Sequence, residues 1–401
     1  MNELFISRKI TIPDLVRIKR YQRLPEFGPN ILFFSGGTAL NTISKELKNY
    51  TYNSTHLITT FDSGGSSAKL RKAFDMPAIG DLRSRLMALA DDSIMGHPEV
   101  YQLFSHRFEK NRQQKNLIDQ LQQMIEGKHP LMQEVLNPMR KLISNQLGYF
   151  QDKMPANFDL RGASIGNLIL AGGYLNNQRQ LDQIIFLFSK LVEVKGTVQS
   201  IVNENLHLSA LLENNQLIVG QHNLTGKEVP AIVSPIKKLQ LVNTKANRKN
   251  PQKEDVKVKI TKAARKLITQ AELICYPPGS FYSSLIANLL PCDVATAIAK
   301  NTCAKVYIPN LGEDPEQLGM SLDSSVLTLL DYLHSNSPNH SDQQFLNFIL
   351  YDSKRANYQS KLSTKLMSDK GIQIIDTKLI SKKSAPYYDE KLLTLALLSL
   401  T

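Results

Sequence analysis

The chain has 401 residues, of which 42% are hydrophobic and 21% are charged, and its formal net charge is +12 at pH 7. This is the composition of a globular protein, and it excludes a disordered or fibrous chain. No apolar run approaches the roughly 20 residues that span a membrane, and residues 1–20 mix charged and apolar side chains instead of forming a secretory signal. We therefore predict a cytoplasmic protein without a membrane partner.

The chain divides by composition into a short extension and one large domain. Residues 1–29 are predicted to form an N-terminal extension with a short helix, which ends in a stretch punctuated by proline and glycine. Residues 30–401 are predicted to form an α/β domain around a parallel sheet. This domain carries a helical insertion at about residues 95–158 and a basic connector at about residues 237–266.

The domain opens with an apolar run at residues 31–34, a glycine turn and a helical pattern at residues 40–47. Such a run predicts a buried parallel strand. Glycine lets the backbone approach a ligand closely, and a helix start offers free N–H groups, so we expect Gly36, Gly37 and Thr38 to bind phosphate. The turn has neither P-loop nor GxGxxG spacing, so a glycine needed only to leave the strand stays an alternative.

A second strand is predicted at residues 56–61, and it runs into a second glycine turn and a helix at residues 68–74. The candidate binding residues of this turn are Asp62, Ser63, Gly64, Gly65, Ser66 and Ser67. A third element opens the helix of residues 82–90 and brings Asp81, Arg83 and Arg85 to its first turns. The alternative makes Asp81 a helix N-cap and Asp62 a turn residue.

The insertion shows apolar residues at helical spacing, which predicts helices over residues 98–143 that either pack on the sheet or close over substrate as a lid. Behind it, a glycine-rich helix start could aim Ser164 and Asn167 at the same ligand, or it could serve only close helix packing. Residues 206–212 and 216–219 flank a turn-forming cluster and predict a small β-hairpin.

The basic connector carries eleven Lys or Arg residues against Glu254 and Asp255, a net charge of +9. Basic clusters can bind polyanions, but the segment has no aromatic residue for base stacking and the chain has no tryptophan. We therefore expect a solvated connector and no nucleic-acid partner, with polyanion binding as the alternative.

The last third of the chain returns to strands followed by polar turns. Strands are predicted at residues 273–276, 305–308, 345–351 and 372–375, and a closing helix at residues 392–400. The turns after the first two of these strands supply Gly279, Ser280, Tyr282, Ser283 and Asn310 as candidate ligands of phosphate or sugar oxygens. Serine and proline are also ordinary turn residues, which is the alternative.

Ligands of open parallel sheets bind outside the carboxyl ends of the strands, so these turns predict one polar pocket for a nucleotide or another phosphorylated metabolite. The carboxylates of Asp62 and Asp81 would repel a bare anion. We therefore expect Mg²⁺ between them and the phosphates, with Asp62 as the metal ligand, or a role of these carboxylates toward an acceptor hydroxyl.

Six motifs in this order resemble those of the 2-phospho-L-lactate transferase family, the CofD/YvcK-like proteins. They are SGGTAL, FDSGGSSAKLR, IGDLRSRLMALAD, SIGNLILAG, PPGSFYSSLIANLLP and VYIPNLGEDPEQLG. The resemblance implies a Rossmann-like fold and a homodimer. It places Gly36 to Thr38 in the first nucleotide loop and Asp62 near the acceptor and metal. The other positions it matches to the pocket are Gly64 to Ser67, Asp81, Asn167 and Gly279 to Ser283.

The chain departs from that family's pattern at several points. Ser35 and Ala39 stand where relatives often have glycine, Ala163 stands where the regulatory branch usually has histidine, and Asn310 begins a different motif. With these departures, the chain resembles a divergent CofD-like subgroup. The small gene system of that subgroup includes an ATP-grasp enzyme, so the resemblance implies such an enzyme as a partner.

Two functions follow from the resemblance. One is a transferase that moves a phosphate-containing group from a nucleotide-activated donor to an acceptor hydroxyl with a divalent metal. In it the phosphate lies across Gly36 to Thr38 and Gly279 to Ser283, Asp62 and Asp81 act on metal or acceptor, and Arg83 or Arg85 balances the charge of the leaving nucleotide. The other is a non-catalytic regulator that binds a nucleotide or nucleotide sugar.

Overall fold

A computed structural model describes residues 9–93, 96–226, 229–243 and 255–401. Within them, the large sheet consists of β1 Ile31–Ser35, β2 Thr55–Ile58, β3 Thr197–Ser200, β7 Leu273–Tyr276, β8 Ala304–Tyr307, β9 Phe348–Tyr351 and β10 Gln373–Asp376. A small sheet consists of β4 His207–Leu212, β5 Leu217–Val219 and β6 Ile236–Val242. The large sheet has the order β10-β9-β8-β7-β1-β2-β3 and every pairing in it is parallel. The predicted Rossmann-like α/β fold is confirmed.

The predicted hairpin is also present, since β4 pairs antiparallel with β5. Strand β6 adds to the other edge of β4 and makes a three-stranded sheet in the order β5-β4-β6. Strand β9 begins three residues later than the apolar run, because Ser341 and Gln344 form a capping box that puts Phe345 at the end of a short helix.

The helices cover both faces of the large sheet. Those before β3 are α1 Leu15–Arg23, α2 Asn41–Leu47, α3 Gly65–Phe74, α4 Gly80–Leu89, α5 Pro98–Ser105, α6 Gln114–Ile125, α7 Pro130–Glu134, α8 Met139–Lys153, α9 Ile165–Asn176 and α10 Leu181–Leu191. Those after β6 are α11 Lys262–Gln270, α12 Ala287–Leu289, α13 Val294–Lys300, α14 Leu322–Asn336, α15 Asp342–Phe345, α16 Thr364–Asp369 and α17 Glu390–Ser399. A π-helical turn, Phe281–Ile286, runs directly into α12.

Strand β1 lies at the centre of the core because both of its faces are buried. Leu32 and Phe34 pack with the small sheet and with α11 to α14, whereas Ile31 and Phe33 pack with α2 and α17 on the opposite face. This alternation follows from the two-residue period of a strand. A third core joins α4, α9 and α10 to the helices of the insertion.

Four helices, α5 to α8, occupy the predicted insertion. Helices α5 and α8 pack against α9, whereas α6 packs on α8 and α7 packs on α5. The N-terminal extension carries α1, which packs on the C-terminal helix, since the Asp14 N–H donates to the Ser399 hydroxyl at 2.9 Å. Residues 1–8 of the extension lie outside the described residues.

The predicted basic connector begins inside β6 and ends inside α11. Lys237 and Lys238 of β6 are exposed, as are Lys257 and Lys259 of the extended segment that precedes α11. Residues 244–254, the middle of the connector, lie outside the described residues. In the part of the chain that is described, no helix is long and apolar enough to cross a membrane.

The strand order reverses between β1 and β7. Strand β1 pairs with β2 on one side and with β7 on the other, so the connections that follow β1 and β7 lead to opposite halves of the sheet. The turns behind β1 and β7 therefore open away from each other at the carboxyl ends of the strands. Such a switch point is where ligands bind in open α/β sheets.

Candidate functional site

A cavity of about 650 Å³ lies at this switch point, outside the carboxyl ends of β1, β2 and β7. Its volume is in the range of sites for small molecules and cofactors. The predicted residues that line it are Gly36, Gly37, Thr38, Asp62, Gly64, Gly65, Ser66, Ser67, Asp81, Arg83, Asn167, Gly279 and Ser280. The structure thus brings turns from three distant parts of the chain to one wall.

The first turn, behind β1, is supported from below by Arg85. This side chain is fully buried, and its Nη2 donates to the carbonyls of Gly36 and Gly37 at 3.3 and 3.2 Å while Nη1 donates to the Ser44 hydroxyl at 2.6 Å. Burial lowers the pKa of Arg85 to about 10, with Asp81 opposing that shift, so the side chain is still a cation at neutral pH. Arg85 shapes the turn from behind and does not line the cavity.

The second turn, behind β2, directs the start of α3 at the cavity. Gly64 caps this helix, its N–H donates to Asp62 Oδ1 at 3.0 Å, and Gly65 has a φ of 49°, a conformation that favours glycine. Buried Arg71 holds the turn from behind through the carbonyls of Phe61 and Asp62. The helix start adds N–H groups and a partial positive charge beside Ser66 and Ser67.

Two guanidinium groups lie on the side of the cavity next to the insertion. Arg83 of α4 donates from Nη1 to the Ser164 hydroxyl at 2.9 Å, and Arg107 donates to the Gly162 carbonyl at 3.3 Å. Burial and, second, the charge of Arg107 lower the pKa of Arg83 to about 10. Both side chains line the cavity, whereas the cations whose charges act on Asp62 and Asp81 are Arg71 and Arg85, which lie behind the turns.

Any divalent cation in this cavity would need oxygen donors from the ligand as well as from the described residues. Among the described residues no group of three or more His, Cys, Asp or Glu residues could hold a metal ion. A Cβ placed on Gly80 would lie 3.7 Å from Asp62 Oδ2, and one on Gly37 would lie 3.8 Å from Asp81 Oδ1, so each carboxylate approaches a backbone that lines the cavity. Magnesium commonly binds in this way, through one or two carboxylates plus substrate phosphates.

The third turn, behind β7, is held by the loop that follows β8. The Gly279 N–H donates to Asn310 Oδ1 at 2.8 Å, and Asn310 Nδ2 donates back to the Gly279 carbonyl at 2.7 Å. The Phe281 N–H donates to Asp314 Oδ2 at 2.7 Å. Asn310 is therefore a positioning residue for the turn and not part of the cavity wall.

Glu316 completes this support and explains why two of the predicted residues lie behind the cavity wall. Its carboxylate is buried and accepts the N–H groups of Tyr282 and Ser283, at 2.9 and 2.7 Å, and the Ser283 hydroxyl at 2.5 Å. Burial and, second, the charge of Asp314 raise the pKa of Glu316 to about 7. The start of this helix thus binds the chain's own carboxylates, and Tyr282 and Ser283 do not reach the cavity.

Two further predicted residues lie behind the wall. Ser63 is buried and its hydroxyl lies 2.8 Å from Nδ1 of His222, and Ser164 is buried and accepts from Arg83. Both orient side chains that line the cavity. They support the site instead of contacting the space where a ligand fits.

Sequence reasoning missed several lining residues because distant elements supply them. Gln221, His222 and Thr225 come from the segment that follows β5, and Arg107 comes from the insertion. Ser84 and Ser284 could have been predicted from the sequence, since they lie in helices whose first residues are already candidate site residues. No local motif marks the other four.

A family model described as 2-phospho-L-lactate transferase CofD matches residues 31–392. The chain belongs to this family. The match includes every turn that builds the cavity, together with the insertion and the small sheet. Membership in the CofD family therefore applies to the whole site and not to a fragment of it.

Similar proteins carry a different name. The putative gluconeogenesis factor of Nostoc sp. PCC 7120 is 27% identical over 333 residues, which cover 83% of this chain and 57% of that protein. The gluconeogenesis factor of Bacillus subtilis is 28% identical over 287 residues, 72% of this chain and 69% of that protein. This chain thus spans little more than half the length of the Nostoc protein.

A solved structure shares the fold. A crystal structure of a UPF0052 family member from Bacillus halodurans superimposes with a TM-score of 0.66 at 22% identity, covering 92% of this chain and 99% of that one. At this identity the likeness shows the fold alone.

Proposed function

We propose that the cavity binds a nucleotide-linked phosphorylated metabolite with Mg²⁺ and that the protein transfers a phosphate-containing group from it to an acceptor hydroxyl. The observation that carries this is the meeting of two carboxylates and two guanidiniums with two glycine turns at one switch point. A polar site of this kind suits a phosphate ester better than a neutral metabolite.

The transfer is a substitution at phosphorus. The acceptor oxygen forms a bond to the phosphorus of the donor, the bond from that phosphorus to the bridging oxygen of the nucleotide breaks, and a nucleoside monophosphate leaves with the bonding electron pair. The acceptor hydroxyl loses its proton to Asp62, which acts as base and orients the hydroxyl. Arg83 and Arg107 stabilise the charge that builds on the phosphoryl oxygens.

A bound Mg²⁺ would be held by Asp62 or Asp81 together with ligand phosphates, and it would neutralise phosphate charge and orient the donor. Binding of the phosphates is assigned to the start of α3 and the turn behind β1. The turn behind β7 presents Gly279 and Ser280 to the cavity, but the helix start behind them is taken up by carboxylates, so we place an uncharged part of the ligand there.

A second candidate function is regulation without chemistry, and the names of the relatives favour it. Proteins 27 and 28% identical to this chain are called gluconeogenesis factors, a name that states a metabolic role and no reaction. In this version the same cavity binds a nucleotide or nucleotide sugar, and the bound state is passed to a partner protein. A homodimer, an ATP-grasp partner and a cytoplasmic location stay predictions from the sequence.

The experiment that separates the two functions uses the full chain. Mass spectrometry of small molecules that co-purify with the protein should first identify the nucleotide class. The protein is then incubated with that nucleotide derivative, Mg²⁺ and a panel of hydroxyl acceptors, and the reaction is followed by ³¹P NMR. Release of nucleoside monophosphate supports transfer, ligand recovered unchanged supports regulation, and no saturable nucleotide binding contradicts both.

Substituting Gly37 by alanine tests where the ligand sits. The added methyl group would meet Asp81 Oδ1 at 3.8 Å, an ordinary van der Waals distance, so we expect the free energy of unfolding to stay within about 0.5 kcal/mol of wild type. The same methyl occupies space in the cavity, and we expect nucleotide affinity to fall about 10-fold or more. Calorimetric titration and urea unfolding measure the two quantities.

Gly312→Ala is the matched control, because Gly312 is exposed and a Cβ there would meet nothing within 4 Å. It should leave both quantities unchanged. Equal affinities of the Gly37 variant and wild type would place the ligand away from the turn behind β1.

A further inference from the structure

We propose that His222 is a ligand-contacting residue that donates a hydrogen bond from Nε2 to the phosphate bound at the start of α3. This inference rests on the proposed binding of a phosphorylated ligand and adds a contact from the small sheet. His222 lies in a 3₁₀ turn, Gln221–Asn223, that follows β5, and it lines the cavity together with Gln221 and Thr225.

The imidazole ring is held along one edge. Its Nδ1 lies 2.8 Å from the Ser63 hydroxyl, and the His222 N–H donates to the same hydroxyl at 3.3 Å. Gly220 has a φ of 97°, and a Cβ there would lie 2.9 Å from His222 Cε1 and 3.2 Å from Ser63 Oγ. Glycine at this position therefore leaves room for the ring against Ser63.

The other edge of the ring is available to a ligand. Among the described residues Nε2 has no hydrogen-bond partner, while Nδ1 is engaged by Ser63. When Ser63 donates its hydroxyl proton to Nδ1, the neutral ring carries its own proton on Nε2, which is then a donor. Ser63 directly precedes Gly64, the N-cap of α3, so the ring stands beside the N–H groups that open this helix.

Each of two buried side chains of the same cavity has an amide oxygen without a hydrogen-bond partner among the described residues, although Asn167 donates from Nδ2 to the Ser66 hydroxyl at 3.0 Å. Gln221 is 8% exposed and its Oε1 makes no hydrogen bond within the described chain, and Asn167 is 1% exposed with the same property at Oδ1. Both residues line the cavity. Buried polar atoms are nearly always paired, so these oxygens indicate a ligand that brings hydroxyl or amide donors next to its phosphate.

Two substitutions at one position distinguish a ligand contact from a structural role. Asparagine can place an oxygen near Nδ1, where it keeps the Ser63 contact, but it has no donor at the position of Nε2. Glutamine reaches that position with its amide but gives up the contact with Ser63. A ligand contact therefore predicts that His222→Asn is the damaging change, whereas a purely structural role predicts the reverse.

The test titrates Mg²⁺ pyrophosphate into the full chain by isothermal calorimetry. We expect His222→Asn to bind about 10- to 100-fold more weakly than wild type, the loss of a hydrogen bond to a charged group, and His222→Gln to stay within a few-fold. His207→Gln is the control, since His207 of β4 lines a neighbouring cavity of about 400 Å³ and not the main one, whereas His222 lines both.

The outcomes separate this inference from the proposed function. Wild-type affinity in His222→Asn, with pyrophosphate bound by the wild type, overturns the contact and leaves the proposed function standing. A wild-type protein that binds neither pyrophosphate nor any nucleotide overturns both.

Discussion

Replacing Asp62 by asparagine is expected to abolish group transfer while leaving the protein folded. The substituted side chain would lack the negative charge that takes the proton of the acceptor hydroxyl and attracts any bound cation. Loss of a base lowers kcat by about 10²- to 10⁴-fold. Its amide oxygen could still accept the Gly64 N–H, which donates to Asp62 Oδ1 at 3.0 Å in the wild type. The start of α3 loses only a favourable charge, which costs about 0.3 to 1 kcal/mol.

The measurement is turnover of the identified nucleotide derivative by ³¹P NMR, with urea unfolding as the check on folding. Asp75→Asn is the matched control, since Asp75 ends α3 and lines the neighbouring cavity instead of the main one. Full turnover by the Asp62 variant would remove this residue from the mechanism. In the regulatory version, the same variant should instead weaken Mg²⁺-dependent nucleotide binding.

The parts of the site that sequence could predict are those built from one strand and its next turn. Gly36, Gly37 and Ser66 lie in the cavity because an apolar run, a glycine turn and a helix are local signals, and parallel strands bring their carboxyl ends to one edge. The parallel sheet followed from the same repeated pattern, and the Rossmann-like fold was implied by the family resemblance. These inferences needed no knowledge of distant contacts.

Helix geometry explains why the sequence leaves open whether Arg83 or Arg85 faces the ligand. Arg83 and Arg85 stand two residues apart in α4, and such residues point to nearly opposite sides of a helix. One of them could face the cavity, but only the packing of α4 decides which. Arg83 faces it, and Arg85 lies under the first turn with contacts to Gly36 and Gly37.

Long-range contacts explain the other differences between the predicted site residues and the residues that line the cavity. The sequence predicts that Gly279 to Ser283 bind phosphate, yet the N–H groups of Tyr282 and Ser283 donate to Glu316, more than thirty residues later in the chain. His222 reaches the site because the small sheet docks beside α3, an arrangement with no local signature. The sequence therefore indicates the edge of the sheet at which the cavity lies more readily than it indicates the set of side chains that line the cavity.

Replacing Glu316 by alanine should be among the most destabilising single changes in the chain. It would leave two buried N–H groups and the Ser283 hydroxyl without their acceptor, and we expect the free energy of unfolding to fall by about 3 to 5 kcal/mol. Glutamine keeps one acceptor oxygen and should cost less. Glu313→Ala is the control, because Glu313 lies exposed in the same loop, and a loss as large in that variant would contradict the assignment.

Glu316 should also make stability depend on pH. Its pKa rises from an ordinary 4.5 to about 7 in the folded protein, so the folded state holds a proton that the unfolded chain has released. The contribution of this group is fully present below pH 4.5 and is lost as pH rises through about 7. Because glutamine cannot ionise, urea unfolding of Glu316→Gln between about pH 5.5 and about pH 8.5 should show a smaller loss of stability than wild type. Equal losses in the two proteins would show that Glu316 does not carry this proton, and that its oxygens accept hydrogen bonds as a carboxylate throughout the range.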